Sequence, residues 1–368
     1  MSEEAITKDP LEEKIKRLKP EDLKKALQVF QEKIHYEYAA YLNSCVHCGL
    51  CADSCHYYLT HKDIQSLPAY KLGLAAGIFK KYFSFTGKNI PGWVGAKEFN
   101  HNMVKEWVDS LFGRCTLCGR CSLNCSMGLN ITYLIRTARS ALAAIDLVPP
   151  GLQSTVNTAL EKGNNMGIPK ADWIDTVEWL EEELQNEVDD QEARLPMDKK
   201  GARLFYTVNP REPMFFPLSI LAVGKIFYAA GESWTFSSDN YDVTNYGLYS
   251  GDDEAAGIMS DRLVQSMKKL GCRTLVLAEC GHGFNSNRWE APEWLSKKYD
   301  FDVKSILEIV AYYVREGRIK LDPSLNQNPV TLHDPCNLVR LGGIVEEQRY
   351  ILKHAAANLI EMTPNREK

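Results

Sequence analysis

The sequence predicts an α+β multidomain chain, helical in its first part and α/β in its second. Three observations carry that expectation. Apolar residues recur at helical spacing along most of the first half of the chain. Eight of the eleven cysteines are gathered into two runs within that helical part. Beyond residue 200, short apolar runs alternate with helical segments, the pattern of parallel strands joined by helices.

The bulk numbers bound the function classes. With 368 residues, 45% hydrophobic and 25% charged, the chain has material for two or three domains with a substantial core. A formal net charge of -5 and no basic block argue against nucleic acid as a main partner. The start, Met1-Ser2-Glu3-Glu4-Ala5-Ile6, is acidic and unlike a signal peptide. Residues 214–230 form the longest apolar candidate, and Pro217, Gly224 and Lys225 interrupt it. Membrane contact is therefore expected only through a partner. An odd cysteine total, concentrated in two runs, reads as metal ligation in a reducing compartment.

Taken in order, residues 1–40 read as an N-terminal helical segment. Residues 11–19 suit a short charged helix, and Pro20 followed by Glu21 and Asp22 opens a second. Its apolar series Leu23, Leu27, Phe30 and Ile34 steps by four, three and four, which places it on one face. That face is expected to pack ahead of the cysteines; a docking arm for a partner is the alternative.

Residues 41–150 contain both runs: Cys45, Cys48, Cys51 and Cys55, then Cys115, Cys118, Cys121 and Cys125. Each reads Cys-x2-Cys-x2-Cys-x3-Cys. Three cysteines on a tight turn wrap three corners of an iron–sulfur cubane, and a fourth thiolate closes it. The runs therefore imply an α-helical ferredoxin-type domain with two [4Fe-4S] clusters. In two-cluster ferredoxins the fourth cysteine of each run ligates the other cluster. The expected sets are Cys45, Cys48, Cys51 and Cys125, and Cys115, Cys118, Cys121 and Cys55. Gly49 and Gly119 are expected to leave room for backbone against inorganic sulfide. Zinc does not demand this spacing twice, and disulfides would imply export.

The 59 residues between the runs include an aromatic and glycine-rich stretch, 70–93, and a helical segment, 96–112. Tyr70, Phe79, Tyr82, Phe83, Phe85 and Trp93 fill a core around the clusters or present a surface to the next redox protein. Residues 131–145 read as a helix whose charged members are Arg136 and Arg139. Pro149-Pro150-Gly151 ends the unit. Residues 151–200 read as a helical linker, helical over 152–188. The acidic run Glu181-Glu182-Glu183 and then Asp189-Asp190 reads as a solvated linker or hairpin.

Residues 201–368 form the expected α/β cysteine-rich domain. Strands are expected at 202–208, 234–236, 274–278 and 330–332, with helices at 217–230, 255–270, 303–313 and 351–359. Ligands bind in the loops after the carboxyl ends of such strands, where Cys280 and Cys336 both fall. Gly281-His282-Gly283 follows Cys280, and His333-Asp334-Pro335 precedes Cys336. Either these are isolated core thiols or they belong to a second metal or dithiol centre. On the second reading their sulfurs share a cavity, with His282 and His333 near its rim and residues 249–253 as another wall. Cys272 reads as a core residue.

The cysteine runs, residues 246–257 and His333-Asp334-Pro335-Cys336 together resemble the catalytic-subunit family of heterodisulfide reductases. The nearest likeness is to iron–sulfur subunits of membrane-bound redox complexes in sulfate-reducing bacteria, including the sulfite-reduction, high-molecular-weight cytochrome and tetrahaem cytochrome complexes. The resemblance implies Cys, Cys-Cys-Gly and Cys-x2-Cys repeats that bind a third, non-cubane [4Fe-4S] cluster and reduce a disulfide. Here the first repeat is degenerate: Ser250-Gly251 stands near the expected pair, and Gly283 replaces the last cysteine. The second begins at Cys336, and the chain ends at Lys368 about where its Cys-Cys-Gly falls, which reads as a truncated C-terminus. A third cluster is expected only if the C-terminus is complete.

By this resemblance the catalytic residues are Cys280, Cys336, His333 and His282. The partners are membrane-anchored quinone-reactive or cytochrome subunits and a small disulfide-carrying protein. The place is cytoplasmic, peripheral to the inner membrane. Two alternatives stand beside it. One is an electron-wiring subunit without a catalytic site. The other is a subunit of a flavin-linked glycolate or glycerol-phosphate dehydrogenase, although the chain has no Gly-x-Gly-x2-Gly fingerprint of its own.

Overall fold

The computed structural model describes residues 10–368. Residues 1–9, including the acidic start, lie outside the described residues. The chain divides into two compact units, Met1–Ser154 with Gly247–Asp253, and Thr155–Tyr246 with Glu254–Lys368.

The first unit is helical. Pro20 opens the helix Pro20–Glu32, where the Asp22 carboxylate accepts from the Lys19 amide at 2.8 Å. Phe30 and Ala26 are buried, with Leu23, Leu27 and Ile34 packed partly behind them. Phe30 meets Trp107 edge-on at 5.4 Å between centroids, and Phe99 meets it at 5.1 Å. Such edge-to-face pairs add about 1 kcal/mol each beyond the burial of the rings. The aromatic stretch splits in two. Tyr70, Phe79, Tyr82 and Phe83 pack on this core, whereas Phe85 and Trp93 are 83% and 86% exposed. The helix expected at 96–112 starts later, because Asn100 caps it by accepting from the Met103 amide at 3.0 Å. It runs His101–Trp107 and widens into a π-helical turn over Val108–Phe112.

Helix Ile131–Ala143 buries eleven of its thirteen residues, both arginines among them. Arg136 pairs with Asp253 and donates to the Leu248 carbonyl at 3.1 Å. Arg139 donates to the carbonyls of Leu111 and Tyr249. These contacts build Gly247–Asp253 into the first unit. Gly251 has φ +83, and a Cβ there would stand 2.6 Å from the Ser140 amide nitrogen, so only glycine fits. The stretch 249–253 falls in the first unit, whereas Cys280 and Cys336 fall in the second.

The second unit carries a four-stranded parallel sheet in the order β2-β1-β3-β4: β1 Leu204–Tyr206, β2 Trp234–Thr235, β3 Thr274–Leu277 and β4 Asp302–Ser305. Every residue of β1, β2 and β3 is buried, as a sheet covered on both faces requires. Helices Pro217–Ala229, Asp253–Leu270 and Ile306–Arg315 alternate with the strands. The acidic run is neither linker nor hairpin. Glu181-Glu182-Glu183 lie inside helix Lys170–Val188 and Asp189-Asp190 directly follow it, while the helix's other face sends Trp173, Val177, Leu180 and Leu184 into the core.

The helix expected from residue 303 begins at Ile306, because residues 302–305 form β4. Ser305 ends that strand and caps the helix in a capping box with Glu308, whose carboxylate accepts from the Ser305 amide at 2.8 Å. The strand before Cys336 is not part of the main sheet. Val330–Thr331 (β5) pairs in parallel with Leu359–Ile360 (β6), the end of the segment read as helix 351–359, while the helix itself is Glu347–Ala355. No helix of the described residues is long and apolar enough to cross a membrane.

Candidate metal centre

The two cysteine runs fold alike. In the first, His47 at φ 52 and Gly49 at φ 86 flank Cys48; in the second, Leu117 at φ 54 and Gly119 at φ 77 flank Cys118. A left-handed non-glycine residue costs on the order of 1 kcal/mol, so its recurrence at matching positions marks a constraint shared by both loops. Short helices, Leu50–Ser54 and Arg120–Leu123, follow each glycine and turn the third cysteine inward. Gly49 is required for its φ. A Cβ there would meet no protein atom within 4 Å.

The loops bring eight thiols around two hollows. Cys45, Cys48, Cys51 and Cys125 line one, with Ala69, Leu72, Leu129 and Ile131. Cys55, Cys115, Cys118 and Cys121 line the other, with Tyr57, Pro68, Lys71 and Ile135. The fourth cysteine of each run therefore stands with the first three of the other. None of the eleven cysteines is in a disulfide. Among the described residues no three His, Cys, Asp or Glu side chains close on a point that could hold a single ion.

Burial pushes the Cys51 thiol up, and Cys45 and Cys125 push it further. Cys121 is raised by burial and then by Cys115, Cys118 and Cys55. Cys48, at the surface, is lowered chiefly by the Ser126 hydroxyl 3.4 Å away. Thiols crowded in this way resist ionisation unless a polynuclear cation core neutralises them. The donor set, four thiols around each hollow, fits a four-iron cluster.

In the second unit the chain passes from β1 to β2 on one side and returns to β3 on the other. The carboxyl ends of β1 and β3 thus frame the crevice where open parallel sheets bind ligands. Cys280 lies there, buried, capping helix Gly281–Asn285. Its sulfur accepts from the Gly283 amide at 3.4 Å and stands 3.2 Å from Nδ1 of His282. Burial raises the thiol, and the Glu279 carboxylate adds to it. Burial, then Arg211, lowers His282 to about 4, so its imidazole is neutral at neutral pH. The ring of His282 lies 4.7 Å from that of Tyr246.

The Cys336 loop packs on the Cys280 loop, because a Cβ on Gly281 would stand 3.0 Å from the Leu338 amide. The Cys336 sulfur accepts from Asn337 at 3.4 Å, and His333 beside it is exposed. Cys272 is half-buried against the second unit's core, and burial raises its thiol to about 11. At Gly283 a Cβ would fall 2.3 Å from the Val243 carbonyl oxygen, so the backbone closes the position to any side chain.

Several groups at this crevice were not singled out by sequence reasoning. Asn209 joins two carboxylates, its amide donating to Glu212 at 2.9 Å and its side chain to Glu279 at 2.9 Å. Burial, then Glu279, raises Glu212 to about 7. A buried bidentate pair, Arg349 with Asp334 at 2.8 and 2.7 Å, fixes the loop ahead of Cys336. The one available signal was position, since Glu279 follows β3 directly and Asp334 immediately precedes Pro335-Cys336.

Residues 41–129, which span both cysteine runs, match the model of a 4Fe-4S dicluster domain. Over 93% of its length the chain is 26% identical to the Hdr-like menaquinol oxidoreductase iron–sulfur subunit of Archaeoglobus profundus, covering 68% of that protein. The chain is similar to the Hdr-like menaquinol oxidoreductase iron–sulfur subunits. The Hdr-like menaquinol oxidoreductase iron–sulfur subunit 2 of Archaeoglobus fulgidus is 25% identical over 88% of the chain and 64% of its own length. The chain thus spans about two thirds of these two relatives. One component of the dihydromethanophenazine:CoB–CoM heterodisulfide reductase of Methanosarcina mazei is 25% identical over 85% of the chain and 73% of its own length. No solved structure matches the chain.

Proposed function

We propose that this chain is the iron–sulfur subunit of a heterodisulfide-reductase-like respiratory complex, relaying electrons through two [4Fe-4S] clusters. Cys45, Cys48, Cys51 and Cys125 hold one, and Cys55, Cys115, Cys118 and Cys121 the other. The clusters supply one-electron storage. The observation that carries this reading is the interleaving of the eight thiols around two hollows. A membrane-anchored quinone-reactive or cytochrome subunit is the electron partner, consistent with relatives named menaquinol oxidoreductase subunits. The chain works on the cytoplasmic side, held at the inner membrane through that partner. Anaerobic iron and sulfide analysis tests the core of this. About eight of each per chain are expected, and a content near four, or zinc in place of iron, refutes it.

The second unit supplies thiol chemistry. Disulfide reduction consumes two electrons and two protons for two thiols, and two one-electron carriers match the electron count. Cys280 with His282 is the candidate pair, with Cys336 on the adjoining loop. With a pKa of about 4 the His282 imidazole is neutral at neutral pH and a weak base, so it orients the Cys280 sulfur through its 3.2 Å contact. The second reading, a wiring subunit with no reaction of its own, is favoured by the closed position at Gly283, which leaves the first cysteine repeat without its last ligand. Cys336→Ala separates the two. Loss of reaction with a disulfide substrate, with both cluster signals kept, supports thiol chemistry; unchanged turnover supports wiring alone.

A further inference from the structure

Two buried cations stand on the second cysteine set, and among the described residues no carboxylate answers them. Lys71 is 2% exposed and lines the hollow of Cys55, Cys115, Cys118 and Cys121. Its ammonium donates to the Arg114 carbonyl and lies 5.9 Å from the centre of the Tyr57 ring. Arg139, 3% exposed, spends its guanidinium on the carbonyls of Leu111, Tyr249 and Cys115. Buried lysine and arginine are ordinarily paired with acids, because a carbonyl alone does not repay the loss of water. Here the missing counter-charge is the thiolate set itself.

The first set is built otherwise. Its hollow is lined by Val46, His47, Ala69, Leu72, Met127, Leu129 and Ile131 beside its cysteines, with no lysine or arginine among the described residues. The runs differ in the same sense. Leu50 follows the first glycine and Asp53 lies in the first run, whereas Arg120 follows the second glycine and Arg114 precedes the second run. Arg114 is answered by Asp63 at 3.2 Å, whereas Lys71 and Arg139 meet only backbone carbonyls and rings among the described residues.

We propose that Lys71, together with Arg139, holds the cluster of the second set at a higher reduction potential than that of the first. A single electron taken up by the chain then rests on the second set. Adding an electron makes a cluster more negative, and a fixed cation in a water-poor site favours that state. The exposed Cys48 brings water to the first set and acts in the opposite sense. Water and salt screen at the surface, whereas Lys71 acts unscreened from inside. Lys71 is a positioning charge and not a ligand.

This rests on the reading that each set holds a cluster, so the experiment measures occupancy and potential separately. The full chain and its Lys71→Met and Lys71→Arg variants are reconstituted anaerobically and titrated with dithionite through redox mediators. Electron paramagnetic resonance follows the clusters, and iron and sulfide are counted in parallel. Cys48→Ser and Cys118→Ser mark which signal belongs to which set. In Lys71→Met the iron content and the first potential stay, and the preference of the electron for the second set falls at least tenfold, about 59 mV for a one-electron couple. Lys71→Arg restores it. Full iron with an unmoved second potential, or an equal shift of both, overturns the proposal. Should Lys71→Met fail to load its second cluster, the parent decides: reduction of the second set before the first upholds the proposal, and the reverse order overturns it. An iron content near four in the parent removes the two-cluster reading first and this proposal with it.

Discussion

Glu212 shows how far a single buried group departs from what its sequence position suggests. Its carboxyl is 5% exposed and is raised from 4.5 to about 7 by burial and by Glu279. The folded chain therefore binds this proton more tightly than the unfolded one. Its stabilising effect is complete below about 4.5 and is lost as pH rises through 7, a swing on the order of 3 kcal/mol. Glu212→Gln cannot ionise. Its denaturation midpoint relative to the parent is expected to rise between pH 5 and pH 8, and equal midpoint differences at both would refute the assignment. Nothing in the local sequence Pro210-Arg211-Glu212-Pro213 signals this, because the burial comes from residues tens of positions away. The cysteine runs are the opposite case. Their spacing is a covalent statement about the object they wrap, so the ligand types were legible without a fold. Lys71 lay between these extremes: its place beside an aromatic stretch was visible, but its burial against Arg114 was not.

At the scale of elements, local signals were read well where they were strong and missed where a cap decided. Pro20 marked its helix, and helix Asp253–Leu270 was read to within two residues. Asn100 and Ser305 are caps that moved two expected helix starts, and Ser305 also hid β4. β5 was legible as a strand, but its partner β6 lies beyond a helix, so its separation from the main sheet was not. The interleaved loops give a prediction that a linear reading of the runs reverses. Cys125→Ser is expected to damage the cluster that carries Cys45, Cys48 and Cys51, and Cys55→Ser the one that carries Cys115, Cys118 and Cys121. Resonance signals assigned through the Cys48→Ser and Cys118→Ser variants check this. Loss of the cluster of the same run in either case is the contrary result.

For the whole molecule, the two-cluster reading makes the two units depend on iron unequally. The first unit's core includes Cys51 and Cys121 and surrounds two hollows, so its packing is incomplete without what fills them. The second unit's core is aliphatic and aromatic, centred on Leu204, Phe205, Val276 and Leu277. Anaerobic removal of iron is therefore expected to raise hydrogen exchange by about tenfold or more across residues 41–129 and to leave the strands of the sheet near their original rates. Equal loss of protection in both units would be the contrary result.

The crossing of the two cysteine sets also orders their birth on the ribosome. Cys45, Cys48 and Cys51 emerge first, yet their set is the last to be complete, because it waits for Cys125. The second set closes four residues earlier, at Cys121, with Cys55 reaching across from the older run. A nascent chain must therefore carry four bare thiols through the synthesis of the whole intervening segment, and a product stopped short of Cys115 retains only the first run. On the two-cluster reading, neither four-thiol set is complete until the second run has emerged.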